Sequence, residues 1–461
     1  MDTSEAQIPL VDQVTCPTCW HEFSPEDVLW IAMHADLTED RIAASGDKEQ
    51  LRFLPSRFNR NGFARDEKGL ECRELACPKC LNTIVQPLLQ MDPLFLSILG
   101  APGSGKSFYL AAVIRQLKRA LGTQFQLRFQ NASAKGNRLL TNYEQILFDN
   151  TGDGKMVKLL KTEAQGDQWY YTARINDRDV QLPRPYLYSI QPGPKHRFLE
   201  SRELLSRVVC LYDNAGEQFL PGAVTGSAPV IDHMAKSEAL LFVFDPIQDA
   251  EFRGRIAKRQ EVLGDVCRDD PQVTHAPFRY PQADILAEAA SRIRSQNRLK
   301  EADLYDKPLI VIVNKYDTWK CILGKPLDVL DSVVMPSEVG GANESVLDIR
   351  KLRAISDRVE QMLQKLTPQI VNEARSFASD VIFVPVSSTG MAPSLQGGKQ
   401  DVDENGRPNL LFPQGKLKPQ WVELPLLYAL HQATAGTDGR ALIPSREADN
   451  SILPIGKGHS A

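Results

Sequence analysis

At 461 residues, with 42% apolar and 24% charged residues, the chain can bury a sizeable core as two or three domains or as one large domain with insertions. Its formal charge of −4, from 54 basic and 58 acidic residues, lacks the basic excess of a nucleic-acid binder and argues against that partner. No apolar run approaches the roughly 18 residues that a bilayer span requires. The N-terminal MDTSEAQIPLVDQ is acidic, without the basic start and apolar stretch of a signal peptide, so a cytoplasmic location with no transmembrane segment is expected.

The first predicted unit, residues 1–92, is a small zinc-ribbon-like module. In a reducing compartment, eight cysteines are free thiols or metal ligands rather than disulfides. Cys16 and Cys19 form CPTC, and Cys77 and Cys80 form CPKC; two such knuckles supply the four soft ligands of a closed tetrahedral Zn²⁺ site. The stretch between the knuckles is far longer than in a simple ribbon, and His21 and Cys72 lie close enough in sequence to replace a ligand. That stretch includes SPEDVLWIAMHADL, where Ser24 and Asp27 suit a capping box, and a helical insert is expected. Cys210 falls in a strand and Cys267 and Cys321 stand alone, which suits buried or inert thiols.

From Leu94 onward apolar strands alternate with amphipathic helices, which predicts an α/β fold: a three-layer, mostly parallel sheet over residues 93–435. The expected strands are LFLSIL, SRVVCLYD, ALLFVFD, PLIVIVN and VIFVPVS. After the first comes GAPGSGKS, with Gly100, Gly105, Lys106 and Ser107 in the G-x-x-x-x-G-K-[ST] pattern and a helix over about 107–121. Gly100, Ala101, Pro102, Gly103, Ser104 and Gly105 would turn backbone N–H groups around phosphates. Lys106 would reach the β and γ phosphates, and Ser107 would ligate Mg²⁺. The pattern predicts a phosphate-binding loop of the P-loop NTPase kind.

The second strand ends in Asp213, with Gly216 three positions on: a D-x-x-G in which the carboxylate serves Mg²⁺ and the glycine N–H senses a γ-phosphate. PLIVIVN runs into Asn314, Lys315 and Asp317, the N-K-x-D pattern. There the carboxylate accepts two hydrogen bonds from an edge that guanine has and adenine lacks, and the lysine stem lies along the base. VIFVPVS ends in Ser387, Ser388 and Thr389, where a backbone N–H can meet the guanine O6. All four motifs fall at carboxyl ends of predicted parallel strands, the edge where open α/β sheets bind ligands. Insertions are expected before Asp213, over about 250–305 and over about 344–377. A long loop is expected over about 390–420 and a disordered tail over 436–461; no internal repeat is evident.

With GAPGSGKS, YDNAGE and NKYD in this order, the chain resembles a translation-factor-related, Ras-like P-loop GTPase. With the zinc knuckles ahead of them, it resembles more narrowly the predicted bacterial double-GTPase family of conflict systems. The resemblance implies GTP binding and hydrolysis to GDP with Mg²⁺, and a protein partner or effector in defence or signalling. A second GTPase would have to be on another chain. It assigns catalysis to Lys106 and to the position after D-x-x-G. The Ras-like glutamine that orients water is replaced there by Glu217, with Gln218 one place late, so slow hydrolysis without a partner is expected. Thr123, Thr141, Thr151, Thr162 and Thr172 compete for the switch threonine, and spacing selects none. Two other classes fit the same residues: an ATP-driven P-loop enzyme in which NKYD is incidental, and a scaffold with a structural nucleotide whose zinc module grips protein or nucleic acid. RGRIAKRQ at 253–260 is the one notable basic cluster and suits a solvated helix face.

Overall fold

The computed structural model describes residues 9–42, 48–149, 155–158, 170–175, 178–220, 229–263, 273, 282–323, 327, 333–337, 344–394, 411–436 and 439–446. At the N-terminus β1 (Val14–Thr15) pairs with β2 (Glu22–Phe23) around CPTC, and a 3-10 turn follows over Pro25–Asp27. After β3 (Leu29–Ile31), β4 (Thr38–Ile42), β5 (Lys48–Gln50) and β6 (Arg52–Phe53), the same arrangement returns. β7 (Leu75–Ala76) pairs with β8 (Thr83–Ile84) around CPKC, and a 3-10 turn follows over Gln86–Leu89. The module is therefore an internal repeat, invisible in sequence because only the C-P-x-C core is shared.

The helical insert is not found among the described residues. Ser24 does cap the Pro25–Asp27 turn, but Val28 leaves it with extended backbone (φ −63°, ψ 130°). Trp30 and Ile31 then suit a pleated, half-buried surface better than a helix. They join β3, which pairs with β6 and β7.

The central sheet has the order β10-β14-β15-β9-β16-β17-β20. Its strands are β9 (Asp92–Gly100), β10 (Leu127–Asn131), β14 (Tyr186–Pro192), β15 (Arg207–Asp213), β16 (Ala239–Phe244), β17 (Leu309–Val313) and β20 (Val381–Pro385). The five expected strands are β9, β15, β16, β17 and β20, and all are parallel to their neighbours in that set. β10 and β14 were not anticipated as sheet members; β14 is antiparallel to both its neighbours, so β10 runs in the same direction as β15, and the two extend the sheet at one edge. Beyond the N-terminal pairings, short pairings outside it join β11 (Met156–Val157) with β21 (Phe412–Pro413), β12 (Tyr170–Ile175) with β13 (Arg178–Pro183), and β18 (Val334–Pro336) with β19 (Ser345–Asp348).

Two cores share this sheet through the period of two that alternates strand side chains between faces. On β15, Val209 and Leu211 join the helices Lys106–Gln124 and Arg138–Phe148 in the larger core. Val208, Cys210 and Tyr212 of the same strand face the other way and pack with Cys16, Trp20, Cys77 and Cys80. β9 contributes Phe95 to that second core, and β14 contributes Leu187. The N-terminal module is thus built onto the sheet, with no break in packing at residue 92.

The tail requires a further correction. Ala441, Leu442 and Ile443 are buried, and β22 (Ser445–Arg446) pairs with β19. This apolar run returns the chain to the body, where His431 Nδ1 lies 2.8 Å from the Ile443 carbonyl oxygen. Residues 447–461, and 395–410 of the expected long loop, lie outside the described residues. No described helix is long and apolar enough to cross a membrane.

In the N-terminal module Asp66 organises its turn by accepting the N–H groups of Met33 (3.1 Å), His34 (3.0 Å), Lys68 (3.1 Å) and Leu70 (2.9 Å). Burial disfavours its ionised form, but the four N–H groups outweigh it and hold the carboxyl below the usual range. Its stabilisation is therefore full above about pH 4 and is lost as pH falls through the lower native value. Asp66→Asn is expected to lower the melting temperature by about 2–4 °C at pH 7, with the gap closing towards pH 2; a gap independent of pH would contradict this.

Candidate functional site

β9 is the topological switch point of the sheet: from it the chain passes to β14 and β15 on one side and then to β16 on the other. Ligands of open α/β sheets bind in the crevice at such a point, outside the carboxyl ends of the strands. The loop Ala101–Gly105 lies there, between β9 and its helix. Gly103 and Gly105 adopt φ 76° and 89°, and a Cβ on Gly105 would come 2.6 Å from Asn314 Nδ2. Neither the backbone nor the space admits a side chain there. Ser104 is fully buried, and its Oγ has no hydrogen-bond partner among the described residues. Ser107 occupies the first turn of the helix.

Lys106 turns back over this loop. Its Nζ is 3.0 Å from Asp213 Oδ1 and donates to the Asn214 carbonyl. Burial raises the Asp213 pKa, Lys106 opposes the rise, and the nearby Glu217 adds to it. Gly216 approaches β9 so closely that a Cβ would overlap the Gly100 carbonyl oxygen. Glu217 follows in a single 3-10 turn, Gly216–Phe219.

Across the crevice, Asn314 binds three elements together. Its Nδ2 donates to the Ser104 carbonyl (3.0 Å), and its Oδ1 accepts from the Lys315 N–H (2.9 Å) and from Ser388 Oγ (2.9 Å). Lys315 has φ 59°, and its ammonium lies 2.6 Å from Asp245 Oδ2. Asp317 is largely buried and accepts a hydrogen bond from Ser387 Oγ, which fixes the carboxylate in place. The Ser387 N–H is taken by the Gln420 carbonyl (3.1 Å), so this turn's donor to a base would be Ser388 or Thr389.

Side-chain and backbone contacts thus link the expected residues of the phosphate loop, D-x-x-G, N-K-x-D and S-S-T at the carboxyl ends of β9, β15, β17 and β20. Of the candidate switch threonines, Thr123 lies in the last turn of the helix after the loop, about 25 Å from its start at 1.5 Å per residue. Thr141 lies within the helix Arg138–Phe148 and Thr172 in β12, whereas Thr151 and Thr162 fall outside the described residues. Asp245 and Gln248 were not anticipated. Asp245 caps the turn after β16 and anchors Lys315, and Gln248 Nε2 donates to the Pro102 carbonyl (3.1 Å). The signal was present: ALLFVF is an unbroken apolar run, and Asp245 is the first polar residue beyond it.

The second cluster is the cysteine set. Cys16, Cys19, Cys77 and Cys80 bring their sulfurs within 4.8 Å of one another. Cys16 Sγ is 3.8 Å from Cys80 Sγ, and Cys19 Sγ is 3.7 Å from Cys77 Sγ. A tetrahedral thiolate site with metal–sulfur bonds of about 2.3 Å has edges of about 3.8 Å, so the spacing fits a metal ion. Thr18 and Lys79 direct equivalent backbone N–H groups to Cys16 Sγ and Cys77 Sγ, each at 3.4 Å. Burial, with the neighbouring sulfurs, pushes the Cys16 thiol up, while hydrogen bonds from those sulfurs pull Cys19 down. Four such groups cannot all be thiolate without a cation among them. Cys72 and His21 are not ligands: Cys72 is absent from the cluster, and the His21 ring stacks on Phe23. Cys210 is a buried, inert thiol as expected. Cys321 is not a lone thiol but disulfide-bonded, its partner outside the described residues, and Cys267 also lies outside them.

The class is therefore an α/β chain with a phosphate-loop-like crevice at the switch point of its sheet and a four-cysteine cluster on one face. No family model matches it. Over 255 residues it is 23% identical to a protein of Mycolicibacterium smegmatis (strain ATCC 700084 / mc(2)155) described as "Putative ESX-1 scaffolding and assembly protein SaeC". The match covers 52% of this chain and 59% of that protein, so the chain spans about three-fifths of the relative's length. Among solved structures it is similar to Sup35 complexed with GMPPNP at 12% identity, covering 65% of this chain and 38% of that one with a TM-score of 0.21. It is similar to Sup35 complexed with GDP at 11% identity, covering 69% and 41% with a TM-score of 0.22. For the S. cerevisiae Ski7 GTPase-like domain bound to GTP the values are 13%, 65%, 43% and 0.22. Scores this low define no shared fold, and the chemistry below rests on this chain's own residues.

Gly216→Ala is expected to destabilise the protein by about 1–3 kcal/mol through overpacking against the Gly100 carbonyl, read by denaturant unfolding. A neutral substitution would show that the two loops do not meet.

Proposed function

We propose that the chain is a Mg²⁺-dependent GTP-binding protein that hydrolyses GTP to GDP slowly and acts as a switch read by a protein partner. The observation that carries this reading is the Asn314 side chain. Through the Ser104 carbonyl it ties the turn bearing Asp317 to the turn bearing Lys106, so a base held at one has its phosphates at the other. Asp317, oriented by Ser387, accepts the two N–H groups of the guanine edge, and the Lys315 stem, anchored by Asp245, covers the ring. Lys106 exchanges its partners Asp213 and the Asn214 carbonyl for phosphate oxygens. A bound Mg²⁺ would neutralise charge on the β and γ phosphates. Ser107 and the carboxylate of Asp213 would hold it; that carboxylate is buried and already faces one cation, the Lys106 ammonium at 3.0 Å, which fits a site built for positive charge.

Glu217 is the weak point of catalysis. A carboxylate in place of the Ras-like glutamine cannot both donate to and accept from an attacking water, and it is repelled by the γ-phosphate. Lys106 still neutralises developing charge, so turnover persists at a low rate, and a partner's arginine would raise it by roughly 10³–10⁵. The cysteine cluster is proposed as a structural Zn²⁺ site that contributes folding energy, in a module that ends near residue 92. The proposed setting is the cytoplasm, where the Cys321 disulfide would be a link made and broken with the redox state, and bacterial conflict or defence signalling with a second GTPase on another chain.

A second reading is favoured by the description of the M. smegmatis relative: a scaffold in which the nucleotide is structural. The two readings part on hydrolysis. In single-turnover assays GTP should be cleaved slowly by the chain alone, with Glu217→Ala keeping tight binding; no cleavage under any condition favours the scaffold. Fast cleavage that collapses in Glu217→Ala would make Glu217 the base and overturn the partner-dependent account. Asp317→Asn should cost about 3 kcal/mol of GTP affinity and shift preference towards xanthine nucleotides. ATP binding as tight as GTP in the unaltered protein would replace the guanine reading with an ATP-driven enzyme. Zinc should be found at about one per chain and lost, with unfolding of the module, in Cys16→Ser/Cys77→Ser; a metal-free protein with an unchanged N-terminal fold would contradict it.

A further inference from the structure

The cysteine knuckle and the D-x-x-G turn are joined by a buried set of side chains that neither site needs on its own account. Trp20 follows Cys19 directly and is held at φ 54° by the knuckle, its N–H bonded to the Cys16 carbonyl at 2.9 Å. Its indole Nε1 donates to the Tyr212 hydroxyl oxygen at 3.2 Å, and that hydroxyl donates to the Pro17 carbonyl at 2.5 Å. The residue immediately before Asp213 is thereby bonded to the backbone between two of the clustered cysteines. The Trp20 ring stacks on His233, with centroids 5.9 Å apart and planes 20° apart, and the Tyr212 ring lies 4.5 Å from the same imidazole. His233 is fully buried, and its Nε2 lies 2.7 Å from Asn214 Oδ1.

Asn214 is the second residue of D-x-x-G. Its backbone N–H and its Nδ2 both reach the Ile98 carbonyl on β9, at 2.9 and 3.1 Å, and its own carbonyl accepts from Lys106. Two arrangements follow from the crevice as interpreted above. With Lys106 on the Asn214 carbonyl, the peptide is held from the crevice side and from His233. With Lys106 drawn to a phosphate, the crevice-side bond is gone, and Ile98 and His233 alone hold the residue.

We propose that Trp20 and His233 are positioning residues that couple the metal-holding knuckle to the D-x-x-G turn. The nucleotide bound at Lys106 then alters the knuckle, and the knuckle biases which nucleotide state is preferred. The coupling rests on the phosphate-loop reading and is reciprocal by linkage. What would distinguish it from mere packing is the exchange of partners by Lys106, whose present acceptor Asn214 is the residue that the knuckle reaches through Trp20 and His233.

The test is hydrogen–deuterium exchange on the full metal-loaded chain without nucleotide, with GDP and Mg²⁺, and with a non-hydrolysable GTP analogue and Mg²⁺. Exchange in residues 14–23 should differ by about fivefold between the two nucleotides. Trp20→Phe, with its metal content unchanged, should flatten that difference while residues 213–219 still respond. A response at 213–219 with none at 14–23 overturns the proposal, as does a full response at 14–23 in Trp20→Phe. If neither nucleotide protects residues 100–107, the phosphate-loop reading fails by itself, and the nucleotide-free arm decides the coupling. There Trp20→Phe should still speed exchange at 213–216 about fivefold, and no change overturns it.

Discussion

The ammonium of Lys106 is the charge around which the crevice is built. Its side chain is only 12% exposed, and a cation so far from water needs acceptors at short range. Here they are the Asp213 carboxylate and the Asn214 carbonyl, both beyond the end of β15's apolar run. The parallel register of β15 with β9 sets Asp213 beside Ile98, and the loop from β9 then carries Lys106 back over it. A displaceable pairing of this kind, on a glycine-rich turn whose Ser104 hydroxyl is buried without a partner among the described residues, suits an anionic ligand better than a closed core would.

The same sheet explains why the cysteine module is not an appendage. A strand with both faces buried needs two cores, and β15 feeds alternate residues to each. Helices cover one face in the usual manner of α/β chains. Over β9, β14 and β15 the other face is covered by two short knuckle repeats too small to hold a core by themselves. The four cysteine sulfurs, within 4.8 Å of one another, lie inside that same packed face.

Much of this was legible in the sequence, and what was missed has local causes. The five parallel strands are apolar runs, broken only by Ser97 in β9, each followed closely by a polar residue or a glycine, and the motif spacing supplied their order. β14, YLYSIQP, is buried almost throughout, yet its tyrosines and polar residues break the apolar run, and only the partner strand β15 completes its environment. β10, LRFQN, is an edge strand whose polar residues face outward. The insert between the knuckles carries a helix-start signal that is used for a single turn, because Trp30 and Ile31 gain more from pairing with β6 and β7 than from continuing a helix. His233 and Asn214 gave no signal, since their roles depend on a knuckle some two hundred residues away in the chain.

The central claim is that the crevice at the end of β9 holds a guanine nucleotide. Denaturing the freshly purified full-length protein, and identifying by chromatography and mass spectrometry whatever nucleotide it releases, tests this most directly. The account predicts GDP, or GDP with some GTP, in amounts comparable to the protein. Release of adenine nucleotides in their place would contradict it.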